Sequence, residues 1–139
     1  MDSEMLKKKN EKSNFMVYNG MRVKSFRKDC AEIELNVGAH ALNPYGIVHG
    51  GVLYAMADCA AGAAARSDGK TYVTLRGSLN YLQAASEGTI TARSVVVYRG
   101  GTTCVIRVEI TGEEDVLLAE GDFTMFCVKR TPEHENTSH

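Results

Sequence analysis

The chain has no apolar run near the ~20 residues that cross a bilayer as a helix. It also has almost no net charge: 16 basic residues against 17 acidic ones leave −1. This sequence thus offers no membrane-spanning helix, and no global field draws it to nucleic acid or an anionic surface. Four cysteines (Cys30, Cys59, Cys104 and Cys127) stand apart among apolar or small residues. None forms a C-x-x-C pair or has a histidine at metal-ligand spacing, so they read as reduced, packed thiols, and no metal site is expected. Repeats, linkers and low-complexity tracts are also lacking. The start of the chain is charged and lysine-rich without an apolar stretch behind it, which gives no secretory signal and an expectation of a cytoplasmic protein.

What is present fits one domain: 139 residues, 44% of them apolar. Residues 1–14 read as a polar segment or short helix (best over 3–12), 15–128 as the folded domain and 129–139 as a frayed tail. Residues 14–18 form a hydrophobic clasp before a turn at Asn19-Gly20. Two strands follow, the second with Ala31, Ile33, Leu35 and Val37 alternating with polar residues. Lys28-Asp29 is the turn between them.

Gly50 to Arg66 is the one clear helix. Apolar residues surround it, which marks a buried helix, and its many alanines allow close approach of a sheet. Strand signals resume over 71–82, where Gly77 interrupts, and continue over 89–98, 102–111 and 116–128, with Gly121 expected as a bulge. Hairpin-length connections imply antiparallel pairing. One helix cannot cover both faces of such a sheet, so the fold class is α+β, a twisted sheet curling around a single helix.

The chemistry concentrates in Asn43-Pro-Tyr-Gly-Ile-Val-His-Gly-Gly51 and in Asp58, a lone acid among alanines. Glycines after a histidine leave the first helical turn bare, so its amides can approach a ligand oxygen at the positive end of the helix dipole. An unpaired carboxylate in such a helix is costly without a role, and Arg66 and Lys70 are too far along for pairing. The pattern suits a carbonyl that gains negative charge while attacked.

Asn43, Gly46, His49-Gly50-Gly51, Asp58 and Gly100-Gly101-Thr102 resemble the hotdog-fold thioesterases of the phenylacetate-pathway (PaaI-like) group, over residues 15–128. The resemblance implies a long central helix wrapped by an antiparallel sheet. It implies subunits joined edge to edge as a homodimer, dimers paired as a homotetramer, and hydrolysis of acyl-CoA without metal or cofactor. On matching positions, Asp58 is the catalytic carboxylate and Gly50 the amide donor to the thioester oxygen. Asn43 and His49 shape the site, and Thr74, with Ser78 as fallback, supplies a hydroxyl that helps hold water. Gly51 and Tyr54 are placed with the substrate-binding residues.

Other residues have two readings. His49 is assigned to the site over a plain helix cap. Gly100-Gly101 is either a hairpin turn or, with Arg99 and Thr102, a contact for the pantetheine or phosphates of coenzyme A. Tyr81, Phe123 and Phe126 are assigned to the core over the substrate wall, and Cys59, without an activating cation in view, to packing.

Gly50 and Asp58 are separated by about 12 Å of helix rise, too far to act on one carbon. Acting together requires two subunits with antiparallel helices and a two-fold axis near Tyr54. Asp58 is then either general base or nucleophile on an aryl-acetyl, aroyl or medium-chain acyl group. The alternatives are a hotdog dehydratase or hydratase using His49 with Asp58, and a non-catalytic acyl-CoA binder.

Overall fold

The computed structural model describes residues 13–128 and, before them, residue 4. Glu4 apart, the segment expected over 3–12 and the tail from 129 lie outside the described residues. The clasp is a one-turn helix, α1 (Asn14–Tyr18), started by the Ser13 hydroxyl accepting from the Met16 amide at 3.3 Å. Of its side chains only Met16 is buried.

Strands β1 (Met21–Arg27) and β2 (Cys30–Asn36) form a hairpin over Lys28-Asp29, with Asp29 at φ 65. Aspartate tolerates that left-handed conformation better than most residues. The alternation in β2 is realised: Ala31, Ile33 and Leu35 are buried, while Glu32 and Glu34 pair with Arg93 and Arg22. A 3-10 turn at Ala39–Ala41 leads to the motif loop and helix α2 (Gly50–Ala65). Then come β3 (Tyr72–Tyr81), β4 (Thr89–Arg99), β5 (Thr103–Thr111) and β6 (Leu117–Cys127).

All pairings are antiparallel and the order is β1-β2-β4-β5-β6-β3, one six-stranded sheet around α2. Met56 of the helix and Ile33, Leu35, Ile90, Ile106, Ile110 and Phe123 of the sheet are fully buried. Ala57, Ala60, Ala61 and Ala64 are also fully buried, and their small size lets the strands lie close. Thr91 and Ser94 are the buried polar residues among those described, and Ser94 Oγ donates to the Ala60 carbonyl at 2.7 Å.

Expected burial on all sides of α2 needs correcting. Val52, Tyr54, Ala55, Asp58 and Cys59 are only half-buried, a flank the chain's own sheet leaves uncovered. Beside that flank runs β3, an edge strand paired only with β6. Its Val73 and Leu75 are 51% and 61% exposed, an apolar edge of the sort proteins otherwise cover. Among the described residues no helix is long and apolar enough to cross a membrane.

Two glycines differ from expectation. Gly121 is not a bulge: it pairs in register with both Leu79 and Val108. A Cβ there would meet the Ser78 carbonyl oxygen at 1.9 Å, so its role is close backbone approach. Gly77 does not interrupt β3. It makes room for Phe123 and the Tyr54 hydroxyl, each 2.4 Å from where its Cβ would stand.

Candidate active site

The helix start is built by the motif loop. Asn43 Oδ1 accepts from the amides of Tyr45 (2.9 Å) and Ile47 (3.2 Å), closing the turn through Gly46, whose φ is 81. Asn43 thus shapes the loop with its side-chain oxygen. The strand-like His49 is the N-cap, and its Nδ1 accepts from the Gly51 amide at 2.8 Å. Here the helix-cap reading of His49 is the geometry found. The cap also consumes the Gly51 N–H, so that residue has no amide left for a ligand. The Val52 and Leu53 amides go to the His49 carbonyl. The Gly50 amide alone in this first turn has no hydrogen-bond partner among the described residues.

Tyr81 stands over this amide. Its hydroxyl donates to the Gly50 carbonyl at 3.0 Å and its ring passes 3.5 Å from where a Gly50 Cβ would be. Burial, with Tyr54 nearby, holds its phenol above the ordinary value. Tyr81 is 52% exposed and Phe126 40%, so of the three aromatics assigned to the core only Phe123 lies there. Asn43, Gly50, Leu53, Tyr81 and Leu118 line a cleft of about 300 Å³ at the helix tip. The signal for Tyr81 was its place at the end of a strand that returns to the helix start.

Asp58 opens elsewhere. With Thr74, Cys59, Arg66, Met16 and Met125 it lines a second cleft, of about 410 Å³. Thr74 Oγ1 donates to Asp58 Oδ1 at 2.6 Å, so the threonine, not Ser78, is the hydroxyl brought to the acid. A bulge permits this: β3 carries the extra residue Leu75 between Thr74 and Arg76, opposite Met125 and Thr124. The bulge shifts the strand's alternation, so Thr74 on one side of it and Gly77, Leu79 and Tyr81 on the other all address the helix.

Burial pushes the Cys59 thiol up to about 11, and the Asp58 charge adds to this more than Arg66 offsets it. A thiol held that high is a poor nucleophile at neutral pH, in keeping with packing. Tyr54 packs edge-on against Phe123 with ring centroids 5.2 Å apart, its hydroxyl against Gly77.

Of the two readings of Arg99, the hydrogen bonds favour the hairpin over the coenzyme A contact. Arg99 crosses to the far end of α2 and donates to the carbonyls of Ala64 (3.2 Å) and Ala65 (3.0 Å), to Asp29 (2.7 Å), to Asp68 (2.8 Å) and to the Tyr72 hydroxyl (3.0 Å). Every face of the guanidinium is committed, which makes it a helix cap with no donors to spare for a phosphate. Gly100 to Thr102 form the adjoining β4–β5 hairpin, at that same far end of the helix and outside both clefts. Among the described residues no group of three or more His, Cys, Asp or Glu is placed to hold a metal ion.

Residues 45–119 match the family model described as the thioesterase superfamily. A 1,4-dihydroxy-2-naphthoyl-CoA hydrolase of Listeria monocytogenes is 31% identical over 80% of this chain and 93% of its own length. The PaaI protein of Escherichia coli, from the phenylacetic acid degradation operon, superposes with a TM-score of 0.85 at 25% identity, covering 90% of this chain and 91% of that one. A hypothetical thioesterase of Streptococcus pneumoniae, solved with coenzyme A, is 33% identical with a TM-score of 0.75, over 79% of this chain and 87% of that one. It has also been solved with alanine in place of an aspartate and, separately, of a threonine sixteen positions further on. By motif, fold and sequence the chain belongs to the thioesterase superfamily, in its PaaI-like hotdog group, and is a thioester hydrolase.

Proposed function

We propose that the protein hydrolyses acyl-CoA thioesters with aryl-acetyl, aroyl or medium-chain acyl groups, without a cofactor, at sites shared between two copies of the chain. The observation that carries this is the Thr74 hydroxyl on Asp58, a pair sixteen residues apart. That spacing equals the spacing of the two positions replaced in the S. pneumoniae protein. Asp58 acts either as general base on water or as nucleophile forming a mixed anhydride, and Thr74 orients the carboxylate. The Gly50 amide takes the thioester oxygen as negative charge builds on it. The hydratase reading is disfavoured because His49 Nδ1 is engaged in the helix cap.

Two registers support the dimer. Gly50 and Asp58 open into separate clefts of one chain, so a shared carbon requires a second chain. Antiparallel helices bring Gly50 level with the partner Asp58 when the axis passes by Tyr54. Antiparallel pairing of the exposed edges of two β3 strands, centred beside Gly77, brings Thr74 opposite the partner Tyr81. The two centres coincide, since the Tyr54 hydroxyl lies against Gly77. One arrangement therefore joins the Asp58–Thr74 pair of one protomer to the Gly50–Tyr81 corner of the other. It also covers Val73, Leu75 and the open flank of α2. Pairing of such dimers into a tetramer is the companion expectation, for which exposed Val95, Tyr98 and Phe126 offer an apolar surface.

Complementation tests the whole reading. Asp58→Asn is expected to fold normally and to lose thiol release from acyl-CoA by about three orders of magnitude or more. Gly50→Pro is likewise expected to be nearly inactive. Mixed by co-expression, the two should regain activity, because each heterodimer holds one site with both Gly50 and Asp58 intact. Folded heterodimers without recovery would exclude the shared site, and an active Asp58→Asn homodimer would remove Asp58 from the chemistry.

A further inference from the structure

Arg66 is the residue in the Asp58 cleft for which the thioesterase reading has no use. It lies two turns beyond Asp58 on α2, yet its side chain does not continue towards the helix end. It folds back over Gly62, where a Cβ would meet Arg66 Nη1 at 2.8 Å. A glycine inside a buried helix costs roughly 1 kcal/mol relative to alanine. Here it leaves a seat that a guanidinium occupies. The seat is one turn from Asp58, ~6 Å along the axis at 1.5 Å per residue. The helix end has no need of this charge, since Arg99 already serves its last carbonyls. Among the described residues the Arg66 side chain has no hydrogen bond, and no carboxylate, Asp58 included, lies within ion-pair distance. The cleft that Asp58 and Arg66 share has an apolar wall of Met16, Val23, Ile33, Ala63 and Met125, beside the polar Ser13, Tyr72 and Thr74.

We propose that Arg66 is a specificity residue that binds a carboxylate at the far end of the acyl group, so that half-thioesters of short dicarboxylic acids are favoured over uncharged acyl groups of equal length. The inference rests on Asp58 being the residue that attacks the thioester or activates water. With the thioester carbon at Asp58, a hydrocarbon spacer of a few carbons crosses the apolar wall and delivers its terminal carboxylate to the planar fork of the guanidinium. The spacer is also required by charge. A carboxylate too close to the thioester would face Asp58, so malonyl-CoA should be a poor substrate compared with glutaryl-CoA. Arg66 lines the cleft as an exposed residue, which lets the anion keep part of its hydration while paired.

The test compares kcat/KM for glutaryl-CoA and valeryl-CoA, acyl groups of equal length that differ in the terminal carboxylate. The native protein is expected to favour glutaryl-CoA about ten- to a hundredfold, the range for a charge-assisted hydrogen-bonded pair. Arg66→Met should abolish that ratio, and Arg66→Lys should keep only part of it. Gly62→Ala, which displaces the guanidinium while leaving its charge, should reduce it too. Thermal melts establish that each variant is folded. Activity that depends on Asp58 but shows no glutaryl preference, or a ratio unmoved in Arg66→Met, would overturn the inference and leave the thioesterase reading standing. An equal loss for both substrates in Arg66→Met would overturn it as well, assigning the guanidinium to the coenzyme A moiety. No thiol release from either substrate, nor from any aryl or medium-chain acyl-CoA, would instead sink the reading beneath it.

Discussion

The two ends of the central helix are treated in opposite ways. At the C-terminal end Arg99 reaches the last carbonyls and is held by Asp29, Asp68 and Tyr72, with its guanidinium carbon 5.9 Å from the Tyr72 ring centre. At the N-terminal end a single exposed histidine caps one amide and the Gly50 amide is left without a partner among the described residues. Helix ends carry unsatisfied groups that folding ordinarily pairs. Pairing one end fully and leaving a donor open at the other separates two tasks. The saturated end fixes α2 against the sheet, while the open end retains a polar group for a ligand oxygen.

The sharpest way to break this contrast is Gly50→Pro. Gly50 is the first helical residue, where proline is tolerated, and His49 before it already has φ −63 and ψ 137, the extended conformation proline demands of its predecessor. The substitution should therefore delete the amide hydrogen with little change in melting temperature, while turnover falls about 10²- to 10³-fold. A large stability loss with intact turnover per folded molecule would reverse the assignment of the two ends.

Arg99→Met is the counterpart. It strips the helix end of its cap and leaves Asp68, whose side chain is 13% exposed, without its guanidinium. Denaturant melts should show a loss of about 2–3 kcal/mol, a value for hydrogen bonds to charged groups that are only partly buried. Thiol release per folded molecule should hold, because Arg99 has no donor left for substrate. Selective loss of coenzyme A affinity in a folded Arg99→Met protein would restore the role its sequence position suggested.

A smaller effect is expected from Thr74→Val, which keeps the shape at the edge strand and removes the hydroxyl on Asp58. Turnover should fall about tenfold, the equivalent of a modest charged hydrogen bond. Unchanged turnover would mean that the contact only positions the strand.

Much of this was legible in the sequence, and the failures have physical causes. The helix, the strand segments and the glycine-histidine motif are local patterns: period-two alternation, an all-round apolar helix and a bare first turn. Thr74 could be placed only to within a residue or two, because the bulge at Leu75 changes which residues face the helix and nothing local announces it. Gly121 was misread since a glycine in a strand reports equally a bulge or a close approach, and only the distance to Ser78 decides. Arg99 was left between two readings for a related reason. A cation beside paired glycines fits a phosphate loop as well as a hairpin, and its true partners, Asp29 and Asp68, come from distant parts of the chain. Tyr81 was missed because an aromatic in a strand defaults to the core, although this strand is an edge.

The least dramatic expectation is also the most specific to the saturated end. Burial alone would raise the Asp68 carboxyl, but the Tyr72 hydroxyl, the Lys70 amide and the Arg99 charge outweigh it and hold it below its ordinary 3.8. A carboxyl lowered by folding stabilises the protein above that ordinary value, and the contribution fades as pH falls through the lower folded one. Tyr72 titrates the other way: burial and then Asp68 push it up to about 12 from 10.0. That contribution is complete below pH 10 and disappears as pH rises through 12. Through Asp68, the stability gap between the native protein and Arg99→Met should therefore be wider at pH 7 than at pH 3, measured as denaturant midpoints. A gap that stays constant across that range would mean that Arg99 holds the helix end through its carbonyl contacts alone, with Asp68 a bystander.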